Sequence, residues 1–129
     1  MGAEEVRVLV RGVPASPGRA YGRVVVALTL DEAAKKMRKG NVLVTKMIDP
    51  DWMPYVRMAS ALVLDEDYTI SHYHAVIVAR GLGTPAVIGT GNATEILKDG
   101  LEVTVDGSKG VVYAGKVSSN LRRRTVARH

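Results

Sequence analysis

Apolar and polar residues alternate at the start of the chain. Val6, Val8 and Val10 stand between polar neighbours over Glu5–Gly12, the two-residue period of a strand with one buried face. The stretch Gly12–Gly22, GVPASPGRAYG, breaks that pattern with two prolines and three glycines and reads as an irregular loop entering a second strand, Arg23–Leu28. Three later runs, Val42–Thr45, Ala61–Leu64 and Ala86–Ile88, are apolar or nearly so, as strands are when both faces are covered. Helix signals lie between them. Thr29-Leu30-Asp31-Glu32 is a capping box that predicts a short helix to about Arg38, ended by Lys39-Gly40-Asn41. Asp49 and Pro50 suit the cap and first turn of another, short and disturbed by Pro54. Asp65–Ile70 reads as polar loop. Ser71 is placed to cap a helix running to Arg80, which Gly81-Leu82-Gly83 and Pro85 terminate. Asn92–Leu97 predicts a brief helix and Lys98-Asp99-Gly100 a turn. Leu101–Asp106 and Val111–Tyr113 pair as a hairpin across Gly107-Ser108-Lys109-Gly110. Short strands of both kinds, mixed with three or four short helices, predict a layered α/β domain with two sheets and helices on one side.

Composition narrows this picture. A chain of 129 residues, 47% hydrophobic, suffices for one packed core. No apolar run approaches the roughly 20 residues that cross a bilayer, and MGAEEVRVLV does not read as a secretory signal. The expectation is a cytoplasmic protein with no membrane partner. With no cysteine there is no disulfide, thiol nucleophile or cysteine-based zinc site. The net charge of +5 is unevenly placed. Five of the 18 Lys and Arg residues lie in the acid-free segment Lys116–His129, which leaves 13 against 13 Asp and Glu. Residues 1–115 are therefore expected to form the folded domain and 116–129 a basic, flexible tail. No aromatic residue interleaves the tail's charges, so it reads as a solvated end rather than a nucleic-acid contact.

Most active-site signatures are missing. No Gly-rich stretch ends in Gly-Lys-Ser or Gly-Lys-Thr, and Gly89-Thr90-Gly91 has Thr94 where a dinucleotide fingerprint needs its third glycine. The exception is Ser71-His72-Tyr73-His74, with two of the chain's three histidines at the start of an expected helix. Free N–H groups and partial positive charge at a helix start stabilise a phosphate. A neutral imidazole is a competent nucleophile toward phosphorus near pH 7. Arg80 lies six residues beyond His74, too far along the helix for its side chain to be required at that phosphate. Two other readings stand beside this one. The pair could join Asp65, Glu66 or Asp67 around a metal, or the histidines could be ordinary surface residues, which on the pattern alone is the plainer reading.

An ordered set of segments changes that balance. GVPASPGRAYGRVVV, GNVLVTKMIDPDWMPYVRMASALVLDED, SHYHAVIVARGLGTPAVIG and DGLEVTVDGSKGVVYAG follow one another over about Val10–Gly115. Together they resemble the mobile phosphohistidine domain of phosphoenolpyruvate synthase and pyruvate phosphate dikinase. The resemblance implies a layered β/β/α swivelling domain whose histidine is phosphorylated at a nucleotide-binding domain and then travels to a pyruvate/phosphoenolpyruvate domain. It implies a phosphoryl carrier that is no complete enzyme alone and holds no cofactor itself, with Mg²⁺ and ATP on a partner. The alternative is an interaction or regulatory module that kept the fold and lost the transfer. Members usually carry Asp-Glu-Gly-Gly, one variable residue, Thr, Ser or Cys, then the phosphorylated His. Counting forward from Asp65-Glu66 aligns His72 with that histidine, with Asp67-Tyr68 in place of the glycines. Counting back from Arg80 aligns His74. Two extra residues inside a packed helix would turn its face by about 200°, whereas in a loop they cost little. The insertion is therefore expected before the helix, with His74 as the carrier and His72 in the loop.

Overall fold

The apolar runs take the middle of the sheet in the computed structural model, which describes residues 6–66 and 70–117. The strands are β1 (Val8–Arg11), β2 (Val13–Ser16), β3 (Arg19–Val26), β4 (Val42–Thr45), β5 (Ala61–Leu64), β6 (Ala86–Ile88), β7 (Glu102–Asp106) and β8 (Val111–Ala114). The helices are α1 (Leu30–Lys36), α2 (Met53–Met58), α3 (Ile70–Leu82) and α4 (Ala93–Ile96), with a 3-10 turn at Pro50–Trp52. Strand order is β1-β8-β7-β3-β4-β5-β6-β2. Strands β3 to β6 run parallel; the remaining pairings are antiparallel.

Two segments serve both halves of this sheet. β3 pairs with β7 through Arg19–Arg23 and with β4 through Val24–Val26. β1 and β2 sit at opposite ends of the order yet are separated in sequence only by Gly12. Gly12 donates its N–H to the Gly110 carbonyl at 2.8 Å, and a Cβ there would overlap the Ile88 carbonyl oxygen. The sheet thus folds over on itself into two β layers. Between them lie Val24, Val42, Val44, Ala61, Val63, Val87, Val103, Val105 and Val112. The other face of the parallel half carries Leu43, Leu62, Leu64 and Ile88 against Trp52, Val56, Ala75 and Ala79 from the helical side. Successive residues of β4 and β5 therefore enter two different cores, which is why those runs show no polar alternation. The result is the expected β/β/α layering, with α1–α3 on the helical side; α4 departs from it, because Ala93 and Leu97 pack into the core between the β layers.

The sequence reading needs correction at several boundaries. Gly12–Gly22 is not a loop: it contains β2 and the start of β3. Pro14 is tolerated because β2 is a terminal strand of the sheet, where a missing N–H breaks no ladder. Only the Pro17-Gly18 turn is irregular, with Gly18 at φ +108°. Strand β3 ends at Val26, two residues before the expected Leu28. Helix α1 starts as the capping box requires, with Thr29 Oγ1 accepting the Glu32 N–H at 3.1 Å. Glu32 Oε1 reaches one residue further back than expected, to the Leu28 N–H at 2.7 Å. Asp49 Oδ1 accepts the Asp51 N–H at 2.9 Å. Pro54 falls in the first turn of α2, where no intrahelical N–H is needed. Ser71 does not cap α3, which begins at Ile70. Gly83, at φ +71°, follows the helix end. Most of the basic tail, from residue 118 on, lies outside the described residues. No helix among them is long and apolar enough to cross a membrane.

Candidate functional site

Helix α3 presents His74 because its other face is committed to the core. Ala75, Val76 and Ala79 are buried, and His74, Ile77 and Gly81, spaced three and four residues apart, share the opposite, exposed face. His74 is exposed. It is the fifth residue of the helix, and His72 is the third. The first four N–H groups of a helix have no partner within it, so His72 lies in the turn that carries them and His74 directly after it. His72 therefore does not occupy the preceding loop. The physical reason is that no glycine or proline stands between Glu66 and Arg80, and nothing stops the helix from extending back through Ser71. The side chain of His72 lies outside the described residues, as does Asp67.

Arg80 is oriented away from the histidine end. Its Nε donates to the Ala15 carbonyl at 2.9 Å, tying the second half of α3 to β2. It lines an open cleft of about 520 Å³ between Pro14–Pro17 and the Gly107-Ser108 turn. Six residues of helix separate it from His74, a rise of about 9 Å. Arg80 thus anchors the helix rather than contacting a group on His74.

Sequence reasoning missed the role of Asp65. The sequence suggests a polar loop or a metal ligand here, but Asp65 is buried and its carboxylate accepts hydrogen bonds from Thr90 and Thr94. Three hydrogen bonds from this one turn reach its two oxygens, which gives Asp65 a structural role in the fold. Among the described residues, no three His, Asp or Glu side chains cluster to hold a metal. The available signal was the acid directly after an all-apolar strand, together with two threonines in Gly89-Thr90-Gly91-Asn92-Ala93-Thr94. Compared with a dinucleotide fingerprint, that segment shows only a missing third glycine.

The class defined by this architecture is the swivelling β/β/α domain. A structure of aconitase X from Thermococcus kodakaraensis in its holo-form shares that fold, with TM-score 0.61 and 21% identity, over 83% of this chain and 98% of that one. A solution structure of Enzyme I matches with TM-score 0.54 and 27% identity, over 70% of this chain and 37% of that one. Residues 37–110 match the family described as PEP-utilising enzyme, mobile domain, and the chain belongs to that family. It is 67% identical over 124 residues to a phosphoenolpyruvate synthase of Aeropyrum pernix, covering 96% of this chain. It is 54% identical over 116 residues to a probable phosphoenolpyruvate synthase of Staphylothermus marinus, covering 88%. The chain spans only 15% and 13% of those two proteins.

Proposed function

We propose that this domain is a phosphoryl carrier that accepts a phosphoryl group on a histidine at the start of α3 and delivers it to an acceptor held by a partner. The observation that carries this reading is the exposed His74 at a helix start in a chain belonging to the mobile-domain family. A lone pair on neutral imidazole attacks phosphorus, a P–N bond forms, and the P–O bond to the leaving phosphate breaks. The N–H groups of the first helical turn, which have no partner within the helix, favour the added negative charge. Nucleotide, Mg²⁺ and the pyruvate or phosphoenolpyruvate site belong to partner proteins or domains.

The count back from Arg80 favours His74, and the helical placement of His72 brings it nearer the N–H groups that have no partner within the helix. Labelling decides between them. The chain is incubated with phosphate-labelled ATP and the Aeropyrum pernix phosphoenolpyruvate synthase relieved of its own histidine domain. Acid-labile label on the chain that survives His72→Ala and disappears with His74→Ala supports His74. The reverse pattern moves the carrier to His72, and no label on the wild-type chain overturns the proposal. The replacement of the usual glycine pair by Asp67-Tyr68 favours a second reading, an interaction module without transfer. Partner binding that persists in the double histidine variant, with no phosphohistidine in cells, supports that reading.

A further inference from the structure

Three of the four residues before α3, 67–69, lie outside the described residues, but the point from which they depart is firmly held. Asp65 donates its N–H to the Thr45 carbonyl and Glu66 donates to that of Lys46, both at 3.0 Å. From the other side, the N–H groups of Gly89, Thr90 and Gly91 donate to the carbonyls of Glu66, Leu64 and Asp65 at 2.8, 3.2 and 2.9 Å. Gly89 and Gly91 have φ of +65° and +79°, the left-handed conformation that lets this turn aim its N–H groups back at the strand end.

The Asp65 side chain completes the junction. Its Oδ1 accepts the Thr90 hydroxyl at 2.9 Å and the Thr94 N–H at 3.2 Å. Its Oδ2 accepts the Thr94 hydroxyl at 2.5 Å. Asn92, the N-cap of α4, makes no capping bond with its own side chain, and Asp65 satisfies the α4 start in its place. A carboxylate is required because three donors converge on two oxygens, whereas an amide offers only one acceptor atom. Burying a charge is costly, and among the described residues this one is compensated by charge-assisted bonds from a single turn.

We infer that Asp65 is a positioning residue, clamping the strand end that leads into the histidine helix to the β6–α4 turn and so fixing where the helix starts. The inference rests on the carrier reading above: a phosphoryl group passes efficiently between proteins only if the imidazole arrives in a fixed orientation.

Two measurements on Asp65→Ala, Thr94→Val and Thr94→Ser test it. The first is amide hydrogen exchange at a temperature where each variant is fully folded by circular dichroism. Asp65→Ala and Thr94→Val are expected to accelerate exchange at least tenfold in residues 74–77, the first amides of α3 with a partner inside the helix, and at position 94, while Val103 and Val105 stay unchanged. Thr94→Ser keeps the hydroxyl and behaves as wild type. Even acceleration throughout the domain, or none at 74–77, overturns the inference. The second compares two routes to the phosphorylated histidine. Partner-dependent labelling is expected to lose at least tenfold in maximal rate at unchanged half-saturating partner concentration. Direct labelling by phosphoramidate, which needs no docking, stays within about twofold. Equal losses by both routes also overturn it. A wild-type chain that takes no label from the partner defeats the carrier reading alone, and the exchange result still decides the role of Asp65. If Asp65→Ala does not fold, the two Thr94 variants carry both tests.

Discussion

Replacing Gly107 by alanine should unfold the closed end of the domain at a markedly lower temperature. Gly107 begins the turn between β7 and β8, and a Cβ there would overlap the Ser16 carbonyl oxygen outright. It would also lie 2.9 Å from the Ala86 nitrogen and 3.0 Å from the Ser16 carbonyl carbon. All three are backbone atoms, so no rotamer change relieves the contact and the turn itself must shift. Overpacking of this kind costs about 1–3 kcal/mol. The shift also strains two bonds that close the turn onto its neighbour: Gly107 N–H to the Gly18 carbonyl at 2.8 Å and Gly18 N–H to Ser108 Oγ at 3.0 Å. Each contributes about 1 kcal/mol. A total of about 3 kcal/mol, at about 4 °C per kcal/mol for a domain of this size, gives a fall of about 12 °C in Tm. Scanning calorimetry is the assay, and Gly100→Ala is the control. Gly100 also has positive φ, +85°, but open space around its Cβ position, so it should lose only about 1 kcal/mol. A Gly107→Ala Tm within about 3 °C of wild type, or equal to that of Gly100→Ala, would refute the backbone-contact account.

Other substitutions test other parts of the argument. Gly81→Ala, inside α3 with nothing within 4 Å of the added methyl, should stabilise by up to about 1 kcal/mol in denaturant titration. Thr29→Ala removes the α1 cap and should cost about 1 kcal/mol, with Thr29→Ser close to neutral. Burial pushes the Asp99 carboxyl up, but hydrogen bonds from Lys36 and the Val26 N–H outweigh it and hold it below the usual carboxylate range. A depressed folded pKa gives stability that is present above the unfolded value of about 3.9 and lost as pH falls through the folded value. Wild type should therefore melt above Asp99→Asn at pH 6, and the difference should shrink below about pH 4.

Much of the fold was legible because its signals are local. The runs Val42–Thr45 and Ala61–Leu64 announce doubly covered strands without reference to the rest of the chain, and Thr29 and Asp49 mark helix starts by the hydroxyl or carboxylate they place there. The misread segment, Gly12–Gly22, failed for a non-local reason: Pro14 is acceptable in a strand only because of where that strand ends up in the sheet. The site divides in the same way. His72 and His74 stand out as a pair in sequence, and the absence of a helix breaker before them was visible but outweighed by the expected insertion. Asp65 could not be found from spacing, since Thr90 and Thr94 reach it across 25 and 29 residues. Only the parallel arrangement of β5 beside β6 brings them together.

The single residue between β1 and β2 has a consequence for how the domain behaves in company. Open sheets end in strands whose spare N–H and carbonyl groups can recruit a foreign chain and seed aggregation. Here the two terminal strands are four residues each and form one run that bends at Gly12 from one layer into the other. Each also carries an irregularity in its register, between Val8 and Val10 and between Pro14 and Ser16. Little straight edge is left to extend. On the carrier reading proposed above the domain passes close to several protein surfaces, and with so short a template on offer it does so without adding itself to a neighbour's sheet.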